Sequence, residues 1–237
     1  MPGSPSGGRS DIGKLVEKQM RNWEICRAQQ LEPRQTAPTR QVEDFVTISR
    51  MVGSGGRKLA AQLGERLGWP VFDREVLQVM AGDDRVRARL YESLDERDLG
   101  WLEDTLRWLI EGEFRKEDYF HRLTETILAL ARRGHAVFLG RGADLMLPRD
   151  RGLRVCLVAS EEYCAGQFAR RTGVSETLAR AELQRIHRER EEFLRHYFGK
   201  RAQDPGRYDV SINMERLTHA EAIELICLAL RRCGAIT

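Results

Sequence analysis

Apolar residues recur along this chain with two periods, and the points where the period changes mark its elements. From Asp11 onward, Ile12, Leu15, Val16, Met20 and Trp23 fall three or four positions apart, the spacing of one helix face. The stripe stops before a polar, proline-bearing stretch at 32–40 that reads as a linker. An apolar stripe outside the main domain needs a cover, which is either that domain or a second subunit in a homodimer. Residues 45–49 then form a short β-rich run. It passes through a glycine-rich loop into a helix carrying Leu59, Ala60, Leu63 and Leu67 on one face; Gly68 ends that helix and Pro70 prevents its resumption.

A second strand over 70–73 and a short helix over 75–81 follow. Leu102, Leu106, Leu109 and Ile110 mark one middle helix, and Leu123, Ile127 and Leu130 a second, closed by Gly134. Residues 136–139 and 153–158 read as buried strands and 208–212 as the last strand. Between them lie a helix opened by Ser160 and a long one over 175–198. The closing helix starts at Thr218 with Glu221 three residues on, a capping box in which each side chain satisfies the other residue's free amide. Strands alternating with helices predict a five-stranded parallel sheet with helices on both faces, and ligands at the carboxyl ends of its strands. Residues 1–40 are thus assigned to a Gly/Ser/Pro-rich tail, an amphipathic helix and a linker, and 41–237 to one α/β domain.

Composition removes several classes. The 237 residues carry a net charge of +3, too little for a dedicated nucleic-acid binder, so any basic surface is local. No run approaches the roughly 20 apolar residues that span a bilayer, and residues 1–9 lack the apolar core of a signal peptide, so a cytoplasmic protein without a membrane partner is expected. Five cysteines with no CxxC pair argue against a zinc site or a disulfide framework. Cys156, Cys164 and Cys227 read as core fillers.

The glycine loop is the chemical focus. A phosphate approaches backbone closely only where side chains are missing, and a helix N-terminus offers unpaired amides and a positive dipole end. Gly53, Gly55 and Gly56 give that access, Ser54 adds a hydroxyl, and Arg57 and Lys58 bring cations. A tight turn would use glycines too, but the position between a strand and an amphipathic helix favours phosphate. The Walker spacing G-x-x-x-x-G-K-[ST] is not met. With Arg50 first, the lysine slot falls on Gly56; with Met51 first, Arg57 fills the lysine slot and Lys58 the Ser/Thr slot. Arg57 is the favoured phosphate-facing cation, and the missing Ser/Thr leaves Mg²⁺ without its usual hydroxyl ligand.

Two further arginines stand out by position. Arg141, between Gly140 and Gly142 after a buried strand, lies on a bare loop at the ligand edge. Arg190 falls within the stripe Leu183, Ile186, Phe193 and Tyr197, where an arginine must snorkel or meet an anion.

The runs at 46–57, 71–75, 139–144 and 208–213 together resemble the cytidylate kinase-like family over residues 44–230, and residues 18–24 are similar to a leader in many members. The resemblance implies a nucleoside monophosphate kinase fold and transfer of the ATP γ-phosphate, with Mg²⁺, to a nucleotide monophosphate such as CMP or UMP. It implies that Arg74 and Arg141 hold the acceptor, that Asp73 holds a magnesium water or a sugar hydroxyl, and that Asp144 is the acidic partner, displaced by two positions. It implies a helical lid over about 160–205 that brings Arg190, and the adjacent Arg188, onto the transferring phosphate, while Arg170 and Arg171 contact the donor. The chain departs from the family at His187, where many members have Asp, and at Glu192, where many have a basic residue. Plainer readings stay open: Asp73 as a helix cap, Arg170 as a complement to a helix dipole, and the long helix as a solvated charged face. A second functional reading is a nucleotide-sensing or scaffold protein that keeps the cradle and has lost efficient transfer. Interleaved glutamates along the long helix argue against nucleic acid.

Overall fold

The computed structural model describes residues 7–30, 42–111 and 118–233; the linker expected at 32–40 and residues 1–6 of the tail expected at 1–9 lie outside these, while Gly7 to Arg9 belong to the first helix, which starts ahead of the expected Asp11. The elements run α1 Gly7–Gln30, β1 Phe45–Arg50, α2 Gly56–Leu67, β2 Val71–Asp73, α3 Arg74–Gly82, α4 Asp84–Glu92, α5 Glu96–Glu111, α6 Asp118–Arg133, β3 Ala136–Leu139, α7 Ala143–Met146, β4 Leu153–Val158, α8 Glu161–Thr172, α9 Glu176–Phe198, β5 Val210–Asn213 and α10 His219–Arg232. All strand pairs are parallel, and the sheet order is β2-β3-β1-β4-β5.

The centre of the sheet follows from composition. Phe45, Val46 and Ile48 are fully buried and Thr47 nearly so, which makes β1 apolar on both faces, as a central parallel strand requires. It pairs with β3 through Ile48 opposite Leu139 and with β4 through Ile48 opposite Val155, so the loops leaving β1 and β3 emerge side by side. One face of the sheet is covered by Leu59 and Leu63 of α2 with Ala222, Ile226 and Leu230 of α10. The other is covered by α1, α3, α5, α6 and the end of α9, through residues such as Met20, Leu77, Leu102, Leu123 and Phe198. Thr218 and Glu221 form the expected capping box.

Most of the α1 stripe is covered by the chain's own domain, with Ile12 partly buried and Leu15 left exposed. Val16, Met20 and Trp23 are buried in the α3 and α6 side of the core. Gln19 Oε1 accepts from Val71 N at 2.9 Å, occupying an amide of the edge strand β2. Trp23 Nε1 donates to the Leu130 carbonyl at 3.0 Å. Trp23→Phe is therefore expected to cost about 1–2 kcal/mol in urea unfolding, from the lost hydrogen bond and the smaller ring. A cost near zero would mean that α1 is not held there in solution.

Two short elements have no counterpart in the sequence reading. In α4 only Val86 and Leu90 are buried, among arginines; what starts it is Asp83, whose side chain accepts from Arg85 N and Val86 N. The one-turn α7 follows Gly142 directly and is buried throughout.

Candidate active site

The chain leaves β1 through Met51 and turns at Gly53 and Gly55, with φ of +92° and +83°. Gly55 caps α2, whose first helical hydrogen bond is Leu59 N to Gly55 O at 3.1 Å. The amides of Gly56, Arg57 and Lys58 precede that bond and have no helical acceptor, so the first turn of α2 presents them outward. The loop is held from behind: a β-carbon at Gly55 would stand 2.6 Å from His219 Nε2 on α10, and one at Gly53 2.5 Å from the Cys164 carbonyl on α8. Ser54 is buried and its hydroxyl donates to the Met51 carbonyl at 2.8 Å, so it braces the loop instead of facing a ligand. Arg57 is exposed and reaches sideways: Nη2 donates to Glu75 Oε1 at 2.9 Å and lies 3.5 Å from Asp73 Oδ2. The bond to Glu75 raises its pKa further. Lys58 is exposed one position along the helix.

Asp73 does two things. Its Oδ1 caps α3 by accepting from Glu75 N and Val76 N, both at 3.0 Å, while Oδ2 faces Arg57. Arg74, the first residue of α3, lines an adjoining cleft. So does Arg141, at φ +59° the one described non-glycine residue in the left-handed region. That conformation aims its side chain back across the cleft, where Nη2 donates to Gln78 at 3.2 Å and the guanidinium lies 5.0 Å above the Phe193 ring. From α9, Arg190 Nη1 donates to the Arg50 carbonyl at 3.2 Å.

Arg50 completes the cluster and was not among the residues the sequence pointed to. As the last residue of β1 it lies under Gly140, where a β-carbon would come within 2.0 Å of its Nη1. Burial first, then Arg190, Arg57 and Arg74, lower its pKa to about 9, with Asp73 opposing them. Burial, Arg74, Arg141 and Arg57 lower Arg190 to about 10. Guanidinium groups hold their protons in neutral water, so these shifts measure unfavourable electrostatic energy that a bound anion would relieve. Arg50, Arg74, Arg141 and Arg190 line one cavity of about 440 Å³, to which α9 also contributes Glu189 and Glu191.

The deeper wall of this cavity is polar. Asp144 is 4% exposed; Ser49 Oγ donates to its Oδ1 at 3.4 Å, and Arg207 Nε lies 3.5 Å from its Oδ2. Burial pushes the Asp144 carboxyl up, against the pull of Arg207, Arg154 and Ser49. Tyr208 and Cys156 line the same wall. Arg207 and Tyr208 are carried by the turn at Pro205–Arg207 just before β5, where no periodicity signals a site.

Two candidates fall elsewhere. Arg188 lines a separate cavity of about 330 Å³ with Cys164, Arg180 and Leu183, and not the arginine cleft. Arg170 is exposed in the last turn of α8 and lines neither cavity, beside Arg171, which lies over the Phe168 ring. His187 touches both cavities, and burial together with Arg190 lowers its pKa. Among the described residues no three His, Cys, Asp or Glu side chains are grouped to hold a metal ion, and no helix is long and apolar enough to cross a membrane.

A model of the cytidylate kinase-like family matches residues 45–216, and the chain belongs to that family. Its five-stranded sheet and glycine loop are the P-loop kinase form of the α/β fold. Among solved structures it is similar to an uncharacterized protein from Eubacterium ventriosum, with a TM-score of 0.65 and 19% identity over 80% of this chain and 99% of that one. A gluconokinase from Sinorhizobium meliloti aligns with a TM-score of 0.44 and 19% identity over 81% of this chain and 94% of that one. A shikimate kinase from Bacteroides thetaiotaomicron aligns with a TM-score of 0.39 and 14% identity over 81% and 99% of the two chains. None of the curated proteins compared with the chain matches it.

Proposed function

We propose that the protein transfers the γ-phosphate of ATP to a nucleoside monophosphate, of which CMP and UMP are the first to test. The observation that carries this reading is the arginine cleft opening directly beside the first turn of α2. Five guanidiniums, those of Arg50, Arg74, Arg141, Arg190 and Arg207, line it against the three carboxylates of Asp144, Glu189 and Glu191, which is more positive charge than a neutral hydroxyl acceptor needs. They suit an acceptor that already bears a phosphate, meeting a second phosphate chain held on the loop.

The ATP phosphates fit the outward amides of Gly56, Arg57 and Lys58 at the positive end of α2. Mg²⁺ bound with ATP would neutralise charge on the phosphates; Asp73 is the carboxylate placed to reach its waters, through the Oδ2 that now faces Arg57. Phosphoryl transfer asks the protein mainly for alignment and charge, so each arginine has a simple task. Arg74 and Arg141 hold the acceptor phosphate. Arg190 on α9 reaches the transferring group, and Arg50 supports both from beneath Gly140. The helical pair α8 and α9 acts as the lid, excluding water once closed.

One set of contacts favours the nucleotide-sensing alternative: Arg57 is occupied by Glu75 and Asp73, and Ser54 is turned inward. A coupled assay with Mg²⁺-ATP against CMP, UMP, AMP and GMP separates the two. Turnover on at least one acceptor is expected, with Arg141→Ala raising the acceptor KM about tenfold or more and leaving the KM for ATP unchanged. ATP binding without turnover on any acceptor would leave the sensing reading in place of transfer.

A further inference from the structure

We infer that Phe193 is a positioning residue of the acceptor site: its ring holds the Arg141 guanidinium, and it does so without occupying any of the N–H groups that an acceptor phosphate needs. This rests on the acceptor-phosphate reading above and adds what readies Arg141 for it.

Arg141 leaves a loop that is itself under constraint. Its backbone lies at φ +59°, between Gly140 at +81° and Gly142 at +70°. That conformation is unfavourable for a residue with a β-carbon and persists only where the surroundings enforce it. Here α9 is part of what enforces it: a β-carbon at Gly142 would stand 2.5 Å from the Phe198 ring and 3.4 Å from the Leu194 side chain. The side chain beyond is long, and a guanidinium free to rotate would bind an anion more weakly, because its freedom would be lost only on binding.

Two kinds of contact restrain it. Nη2 donates to Gln78 Oε1 at 3.2 Å, and the guanidinium carbon lies over two rings, 5.0 Å from the centre of Phe193 and 6.0 Å from that of Tyr119. The attraction between a cation and a π face occupies no donor. Arg141 Nε is buried and has no hydrogen-bond partner among the described residues, so it is available to a ligand. Arg57 shows the opposite arrangement, since Glu75 and Asp73 hold it by its donors and offset its charge. An aromatic holder leaves donors and charge to the phosphate. Burial lowers the Arg141 pKa and Arg74 adds to this, while Tyr119 and Tyr197 oppose it, so the phenols favour the charged form.

Phe193 stands where α9 passes from one packing environment to another. Downstream, Tyr197 stacks on Phe120 of α6 with ring centres 4.2 Å apart, and Phe198 meets the same ring edge-on at 5.6 Å, both within the main core. Phe193 meets Tyr197 edge-on at 4.8 Å, so its ring is oriented by the seated part of the helix. Upstream, Leu183 packs with Cys164 and Ala165 of α8 in a separate cluster. Phe193 therefore holds Arg141 only while this part of α9 is in its seat, and by linkage an anion bound to the held arginine stabilises that seat in return.

Calorimetric titration of the full chain with inorganic phosphate, CMP and UMP tests this. At least one probe should bind the wild type, and bind Arg141→Ala about tenfold or more weakly. For that probe Phe193→Leu, which stays apolar and removes the π face, should weaken binding about three- to tenfold and leave the affinity for Mg²⁺-ATP within about twofold. Phe193→Tyr keeps the ring and should bind like the wild type. Phe193→Met, also without a π face, replaces the leucine variant if that one fails to fold. The double variant separates holding from packing: in Arg141→Ala protein, Phe193→Leu should cause no further loss, because the ring has no guanidinium left to hold. The probe should also slow amide exchange in the last turns of α9 in the wild type and not in Phe193→Leu. Equal losses from Phe193→Leu in both backgrounds, no loss in either, or equal slowing of exchange with and without the ring overturns the inference. If no probe binds Arg141→Ala more weakly than the wild type, the acceptor reading itself falls, and the role given to Phe193 falls with it.

Discussion

Replacing Arg190 by methionine is expected to reduce phosphoryl transfer about a thousandfold while making the ligand-free protein more stable. The first half rests on the proposed function, in which α8 and α9 bring Arg190 over the cleft it lines, since an arginine on the transferring phosphoryl contributes on the order of 10³ or more in rate. The second half follows from its surroundings. Burial and the charges of Arg74, Arg141 and Arg57 all act against the Arg190 guanidinium, which donates to the Arg50 carbonyl. Methionine keeps much of the side-chain volume and removes the repulsion, for a gain of about 1 kcal/mol, or roughly 2–4 °C in Tm. Single-turnover kinetics and thermal melts with and without ligand check both halves. The wild type should be stabilised by nucleotide, by about 2.7 kcal/mol at 100 times the Kd, and the variant by less at the same concentration. A variant that melts lower than the wild type without ligand would show that the cluster is not under electrostatic stress.

The arginine cleft also separates what the sequence discloses from what it hides. Strands β1, β3 and β4 were legible because they are short runs rich in apolar and β-branched residues, and once they form a parallel sheet their carboxyl ends must emerge together. That places Arg74 and Arg141 with the glycine loop without any further information. Arg50 was hidden because the last residue of a strand can as easily face solvent; only the bare backbone at Gly140 makes room for it underneath. The separation of Arg188 from Arg190 was only partly legible. Two positions along a helix are about 200° of rotation, which favours opposite faces without forbidding a shared cavity: Glu189 and Glu191, also two apart, both line the cleft. Ser54 was misleading for a local reason: a hydroxyl in a glycine turn bonds backbone as readily as ligand. Arg207 had no periodicity to announce it, since it sits in a turn and meets Asp144 only through the fold.

The largest expected loss of stability lies one strand away, at Arg154. Arg154→Met should destabilise the protein by about 3–5 kcal/mol, roughly 10 °C in Tm, and reduce activity with it. Arg154 on β4 has no exposed surface, and its guanidinium is surrounded by backbone carbonyls: Nε donates to Asp144 O at 3.2 Å, Nη1 to Arg151 O at 3.0 Å, and Nη2 to Leu147 O at 2.9 Å and to Pro148 O. Burial is the main force lowering its pKa, and Asp209, Asp144 and Asp150 oppose it from a distance. Because three of the four carbonyls belong to the segment joining α7 to β4 and the fourth, that of Asp144, to α7 itself, this one side chain ties that connection into a knot. Methionine would fill the space and take the Arg154 donors from two buried carbonyls, of Asp144 and Leu147, and two part-buried ones, of Arg151 and Pro148, at about 1–3 kcal/mol for each that is left buried without a donor. Lysine could satisfy only some of them and should fall between the two. Activity should fall with stability because the knot begins at Asp144, whose carboxylate lies opposite Arg207 in the cleft. Urea unfolding with an unchanged m-value, read beside acceptor KM at a temperature where the variant is still folded, separates the two effects. A loss below about 1 kcal/mol would mean that the segment finds other donors and that Asp144 is positioned without Arg154.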